Sequence, residues 1–226
     1  VRPVKPPEGK YTGKKEMRER RSPMSAREKI MKAADRLFGE IGFDAASTRE
    51  IARLSGVNKA LIHYHFQSKE GLFVALMDNY YERLEKTLRL TLTQGGSLRE
   101  NLARTIDAYV DFLSKNRNFS RIVQRESAGG KHMDRVRAHM FPIFEMGREL
   151  LQGEYPHTRS GELAAHHLLV SVYGMIVSYF TYSEVIRYLI GKDPLSTQEL
   201  EGRKGHLHRM IGIIADELDR DEGSGS

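Results

Sequence analysis

STREIARLSGVNKALIHYHFQSKEGLF (residues 47–73) joins two short apolar-periodic stretches through Ser55-Gly56-Val57. Ser47-x-x-Glu50 matches a capping box, in which the serine oxygen and the glutamate satisfy N–H groups that a helix start leaves orphaned. Ile51, Ala52 and Leu54 give the first stretch a buried side, and the small Ala52 lets a neighbour approach closely. Gly56 permits a tight turn because glycine tolerates backbone angles that other residues resist, and Val57 plugs the corner. Ile62 and Phe66, four apart, form the inner stripe of the second stretch. Ala60 and Tyr64 then fall on the opposite face, flanked by Lys59, Leu61 and His63. Two helices about a tight turn, with a polar-aromatic outer face, is the reading that follows.

His63-Tyr64-His65 invites a metal reading, but residues two apart on a helix point about 200° away from each other and cannot grip one ion. His206 and His208 meet the same objection. His132 and His139 are seven apart with no obvious third ligand. No metal and no cofactor is expected. G-x-S-x-G, H-E-x-x-H, the phosphate-binding G-x-x-x-x-G-K-[ST] and G-x-G-x-x-G are absent, so no catalytic site is expected and no enzyme is nominated.

Charge supplies a direction. The chain has 226 residues and a net charge of +6. Residues 1–69 carry 16 Lys/Arg against 8 Asp/Glu, while the remainder is slightly acidic. Excess positive charge at one end suits a polyanion partner or a solvated basic tail. There is no cysteine, which removes disulfides and thiolate chemistry and fits a reducing, cytoplasmic setting. The polar first 29 residues carry no apolar stretch of the secretory kind. The longest apolar run, LLVSVYGMIVSYF (168–180), is shorter than the ~20 residues of a membrane span, so no membrane contact is expected.

The remaining signals are helical. Ser25-x-x-Glu28, Ser97-x-x-Glu100 and Ser196-x-x-Glu199 repeat the capping box, each opening an apolar-periodic stretch. Helices are predicted at about 25–40, 48–54, 58–65, 69–92, 97–115, 118–128, 132–152 (with Pro142 as a kink), 160–190 and 197–219. The fold expected is all-α with about nine helices: a flexible basic arm (1–24), a helix-turn-helix domain (25–69), a larger helical domain (70–220) and a disordered tail (221–226).

Residues 47–73, preceded by MKAADRLFGEIGF (31–43), resemble the DNA-binding domain of the TetR family of bacterial transcription regulators. The matching features are Phe38-x-x-x-Gly42-Phe43, Thr48, Ile51-Ala52, Gly56-Val57, the aromatic-His-Phe end at 64–66, and Lys69. The resemblance implies a homodimeric repressor that binds a palindromic double-stranded operator and is released by a small-molecule effector. It implies that Thr48 and Lys69 hold phosphates, by amide and side chain, at helix N-termini. Arg49 would reach a base edge. Asn58, Lys59, Ala60, Leu61, His63 and Tyr64 would form the reading face, with His65 turned towards the backbone. Departures are His63 in place of tyrosine and Leu61 in place of a small or polar residue, which leaves Leu61 to contact a thymine methyl or to pack.

For the second domain the resemblance implies ligand binding and dimerisation. Segment 160–190 is apolar around most of its circumference, with small Ala164, Ala165, Ser171, Gly174 and Ser178; 197–219 is amphipathic. Packing this pair against its two-fold copy would bury both. Tyr81, Tyr109, Phe112, Phe144 and Tyr173 are candidate contacts to an apolar effector, though aromatics at helical spacing fit plain core equally well. Arg125 and Glu126 would add polar recognition or lie at the surface. A helix-turn-helix regulator without an effector stands as the alternative.

Overall fold

The computed structural model describes residues 24–128 and 130–224, the side chains as far as 221; the expected basic arm lies, but for Met24, outside the described residues. Among the described residues there is no strand, and the chain forms ten α-helices. They are α1 (Ala26–Ile41), α2 (Thr48–Ser55), α3 (Lys59–Phe66), α4 (Lys69–Leu92), α5 (Leu98–Lys115), α6 (Arg117–Ser127), α7 (Met133–Glu154), α8 (Ala165–Thr181), α9 (Ser183–Ile190) and α10 (Thr197–Ser224), with a 3₁₀ turn at Pro156–Arg159 before α8. Helices α1 to α3 make the N-terminal helix-turn-helix unit and the rest a larger helical domain.

The serine signals act as expected at three starts. Ser25, Ser47 and Ser97 each accept the N3 amide while Glu28, Glu50 and Glu100 return to the cap backbone. Each cap stabilises its helix by about 1 kcal/mol. Hydrogen bonding to the serines holds all three carboxyls below the usual glutamate range. At Ser196 only half of the box forms: its hydroxyl accepts from the Glu199 amide at 3.4 Å, while the Glu199 carboxylate pairs with Lys192.

Two expectations are corrected. The single helix over 160–190 is two, α8 and α9, bent by 75° at Tyr182. No glycine or proline marks that bend, so the apolar pattern runs through it unbroken. The start also shifts: Gly161, at φ +83°, follows the 3₁₀ turn and delays α8 to Ala165. The expected tail at 221–226 is helical as far as Ser224, because α10 continues past 219. No single helix among the described residues is long and apolar enough to cross a membrane.

One core runs through both units. Ile30, Ala34, Phe38, Ile51, Ile62 and Phe66 close the N-terminal unit, and Leu72, Phe73 and Met77 on α4 continue it into the larger domain. The Phe38 and Phe73 rings meet edge to face at 5.3 Å, and Phe43 lies 5.0 Å from Phe73. Leu54, expected on the buried side of α2, is exposed instead.

Candidate nucleic-acid interface and ligand cavity

The turn between α2 and α3 follows the sequence reading. Gly56 lies in the left-handed region (φ +65°, ψ +27°) and closes α2 through a hydrogen bond to Ala52. Asn58 caps α3, its side chain accepting the Ala60 amide at 2.9 Å. Ile62 and Phe66 face inward and are almost fully buried. Arg49, Asn58, Lys59, Ala60, His63 and Tyr64 are therefore left exposed on one side of the unit. Tyr64 is 79% exposed, an unusual state for an aromatic that packing could have buried. None of these cations has an acidic partner within ion-pair distance among the described residues.

Several expected site residues carry tasks within the fold. Leu61 is half-buried and packs on the core. His65 is also half-buried, between Tyr64 (5.0 Å, edge-on) and Phe66 (6.1 Å). His63 Nδ1 bonds the Gln67 carbonyl, an acceptor, so this nitrogen carries the proton. In a neutral ring Nε2 is then left as an acceptor facing outward. The Lys69 side chain departs from its expected role on a phosphate. Its ammonium donates to the carbonyls of Phe43 (2.9 Å), Asp44 (3.3 Å) and Ala46 (3.0 Å) and sits 4.3 Å from the Phe43 ring centroid. It thereby clamps the α1–α2 connection onto α4. The amides of Thr48 and Lys69 still open helices α2 and α4, where the first N–H groups have no partner within the helix.

The α3–α4 junction holds a feature that the sequence reading missed. Gln67 adopts φ +65° and ψ −39°, and Ser68 N–H bonds the Phe66 carbonyl across it at 2.7 Å, a γ-turn of the strained hand. So tight a corner brings α4 against the end of α3. A Cβ on Gly71 would lie 2.1 Å from the Phe66 carbonyl oxygen, so only glycine fits. A glycine in the first turn of a predicted helix was the available signal.

Helix α6 and the start of α7 attach the N-terminal unit to the larger domain. Arg125 donates to the carbonyls of Phe38 (3.0 Å), Gly39 (3.2 Å) and Glu40 (3.1 Å) in the last turn of α1, where Phe38 also accepts the Gly42 amide. Glu126 is buried and accepts from both the backbone N–H and Nδ1 of His132, each at 2.9 Å. Nε2 of His132 meets Glu70 at the start of α4, and Lys131 meets the other Glu70 oxygen at 2.7 Å. The His132 ring lies 4.3 Å from Phe73 and 4.9 Å from Phe43. Arg125 and Glu126, weighed as ligand contacts, thus join the two units instead. His139 is separately engaged, stacked on Tyr81 at 4.7 Å and bonded to Asp78 at 2.8 Å.

The larger domain encloses a cavity of about 150 Å³ between α4, α5, α7, α8 and α10. Its wall is almost wholly apolar, with Leu88, Ile106, Ile143, Leu168 and Ile176 typical. Of the candidate ligand contacts, Tyr109, Phe144 and Tyr173 line it. Tyr81 and Phe112 do not: both are buried, and Phe112 packs edge to face on Phe119 at 5.8 Å. Burial raises the Tyr81, Tyr109 and Tyr173 phenols above their usual range, so all three are neutral donors. Arg99 is the one charged residue of the wall and is already paired with Asp216 and Asp219. Among the described residues no group of three or more His, Asp or Glu is placed to hold a metal ion.

Comparison with known proteins bears on both regions. The profile of bacterial regulatory proteins of the tetR family matches residues 30–76. The HTH-type transcriptional regulator YttP of Bacillus subtilis (strain 168), named as a probable one, is 34% identical over 105 residues, covering 46% of this chain and 51% of its own. The HTH-type transcriptional activator FasR of Mycolicibacterium smegmatis is 29% identical over 97 residues, 43% of this chain and 44% of its own. The chain thus spans about half the length of the curated relatives it matches. A TetR-family transcriptional regulator from Bordetella parapertussis 12822 shares the fold at a TM-score of 0.69 and 15% identity, over 83% of this chain and 94% of its own.

Proposed function

We propose that this chain, which belongs to the tetR family of bacterial regulatory proteins, is a dimeric transcription regulator that reads a palindromic operator with α3 and is released by an apolar effector. The observation that carries the reading is the exposed face of Arg49, Lys59, His63 and Tyr64 on a firmly capped α2–α3 pair. Exposed aromatic and basic side chains, with Arg49 and Lys59 free of acidic partners among the described residues, suit base edges and phosphates. The amides of Thr48 and Lys69 suit phosphate oxygens at helix N-termini. Asn58 and Ala60 border the face, and the acceptor Nε2 of His63 suits the amino group of adenine or cytosine. Residues 25–69 are the operator-binding domain in this reading, and residues from 70 onward the effector and dimer domain.

Dimerisation is supported by the outward faces of α8 to α10. Ser171, Gly174 and Ser178 on α8 and Gly202 and Gly205 on α10 are exposed, and the three glycines have open space beside them. A glycine inside an exposed helix costs about 1 kcal/mol relative to alanine, which close approach of another helix would offset. Tyr182 and Val185 at the α8–α9 corner add exposed apolar surface. Two such faces form a self-complementary four-helix contact.

The cavity favours an effector over the alternative without one. A wall this apolar, with three tyrosines, of which Tyr155 is bonded to Asp219, and no unpaired charge, suits a largely aliphatic or planar molecule. Binding there acts on the operator only if the ligand favours one arrangement of the two units; α6, through Arg125 and Glu126, is the connection available. Release from a repressed operator is the direction proposed.

Selection from random duplex DNA tests the reading. Enrichment of a palindrome with half-sites about 34–36 Å apart, or a multiple of that, is expected. Salt-sensitive binding without any enriched motif would overturn it.

A further inference from the structure

Away from the apolar cavity, a small polar cleft of about 40 Å³ opens between α6, the α8–α9 corner and the α9–α10 connection. Arg117, Ser120 and Arg121 of α6 line it, opposite Phe180, Ser183 and Leu195. Four observations about its chemistry agree.

Ser120 is 5% exposed, and its hydroxyl is withdrawn from solvent with no hydrogen-bond partner among the described residues. A buried hydroxyl is ordinarily paired, so an orphan beside a cleft marks a missing partner. Ser183, 7% exposed, faces the same space and also has no side-chain partner. Both are neutral groups able to donate.

The second observation is charge. Arg117 and Arg121 stand four apart on one helix face, where like charges repel. Arg117 reaches only the Leu195 carbonyl, at 3.3 Å, and Arg121 has no partner among the described residues. Glu184, which also lines the cleft, and the neighbouring Asp193 both pair with Arg187, the third arginine of the cleft. Two positive charges are left over.

The third is the helix start. Helix α6 opens without a side-chain cap and without an acidic residue in its first turn, and Arg117 is its first residue. The positive end of the helix dipole disfavours cations and attracts anions. The start of α6 thus lacks both a side-chain cap and a negative charge, which a bound anion would supply. The fourth is size: at about 40 Å³ the cleft suits a small group.

We infer that this cleft is an oxyanion site, built for a phosphate group, in which Arg117 and Arg121 supply charge and the Ser120 and Ser183 hydroxyls donate hydrogen bonds. Tetrahedral oxygens can accept from donors arriving from both α6 and α9 at once, and the charge of a phosphate group matches the two arginines left over. The group is either free phosphate or the exposed end of a phosphate monoester. The site is independent of operator reading and of the apolar cavity.

The test is isothermal titration of the full chain with inorganic phosphate and, separately, methyl phosphate, at fixed ionic strength balanced with chloride. Arg121→Ala is the first variant, because this exposed side chain has no partner whose loss would unfold the protein; Ser120→Ala and Arg117→Ala follow. Saturable one-to-one binding is expected, weakened at least about tenfold by Arg121→Ala, with the melting temperature rising in phosphate for the parent more than for the variant. Equal affinity for both probes identifies the phosphate group alone as the ligand; preference for methyl phosphate identifies a monoester. Absence of saturable binding overturns the site. So does a stabilisation by phosphate that is unsaturated and equal in parent and variant, which is the general salt effect of an excluded anion.

Discussion

The face of α3 and the cavity of the larger domain are opposite solutions to the placing of aromatic residues. Tyr64 is held out in solvent by a helix whose every end is fixed locally: Gly56 turns it in, Asn58 caps it and Gln67 ends it. Tyr109 and Tyr173 are held inside, on a wall assembled from five helices remote in sequence. The first arrangement depends on local backbone geometry, the second on packing, and the two regions should fail in different ways.

The largest effect is expected at the α3–α4 corner. Gly71→Ala sets a methyl against the Phe66 carbonyl, which only a backbone shift relieves. A loss of about 3 kcal/mol is expected. Thermal unfolding and operator titration should both report it, and an unchanged melting temperature would break the claim that the reading helix depends on this corner. His132→Ala comes next. It leaves the buried Glu126 carboxylate without its imidazole partner, a loss of about 2 kcal/mol in denaturant titration.

Val172→Phe is the corresponding probe of the cavity. The larger ring fills space that the wall now leaves empty, so stability should change by no more than about 1 kcal/mol, in the favourable direction. Operator affinity should persist while response to any effector is lost. Loss of operator binding would show that the two regions are less separable than their construction suggests.

The smallest effect concerns acid. The hydrogen bond from Lys131, and then that from His132, holds the Glu70 carboxyl below the usual 4.5. A depressed folded value means that this pairing stabilises the fold above the unfolded value and ceases to do so as pH falls through the folded one. Stability of the parent should exceed that of Glu70→Gln at pH 7, and the difference should begin to shrink as pH drops below about 4.5 and vanish once pH has passed the lower folded value. Glu70 is 40% exposed, so solvent screening keeps the difference small.

Legibility in the sequence divides along the same line. The serine-glutamate boxes at Ser25 and Ser47, Gly56 and the Ile62/Phe66 stripe mark the helix-turn-helix unit because each acts within a few residues of itself. The Lys69 ammonium binds carbonyls 23 to 26 residues away, a contact that spacing does not encode. Arg125 and Glu126 were out of reach for the same reason. The α8–α9 bend escaped notice because Tyr182 bears no breaker chemistry. In the cavity, periodicity marked Tyr81 and Phe112 as readily as Tyr109, Phe144 and Tyr173. Only the packed helices separate wall from core.

The most direct measurement compares the parent with a Lys59→Ala/Tyr64→Ala variant on an enriched duplex, by fluorescence anisotropy across a salt series, alongside thermal unfolding. Both side chains are exposed, so the melting temperature should not move. Affinity should fall about a hundredfold, and the slope of log K against log salt should flatten by about one if Lys59 meets a phosphate. Undiminished affinity in a folded variant would contradict the reading of DNA by α3.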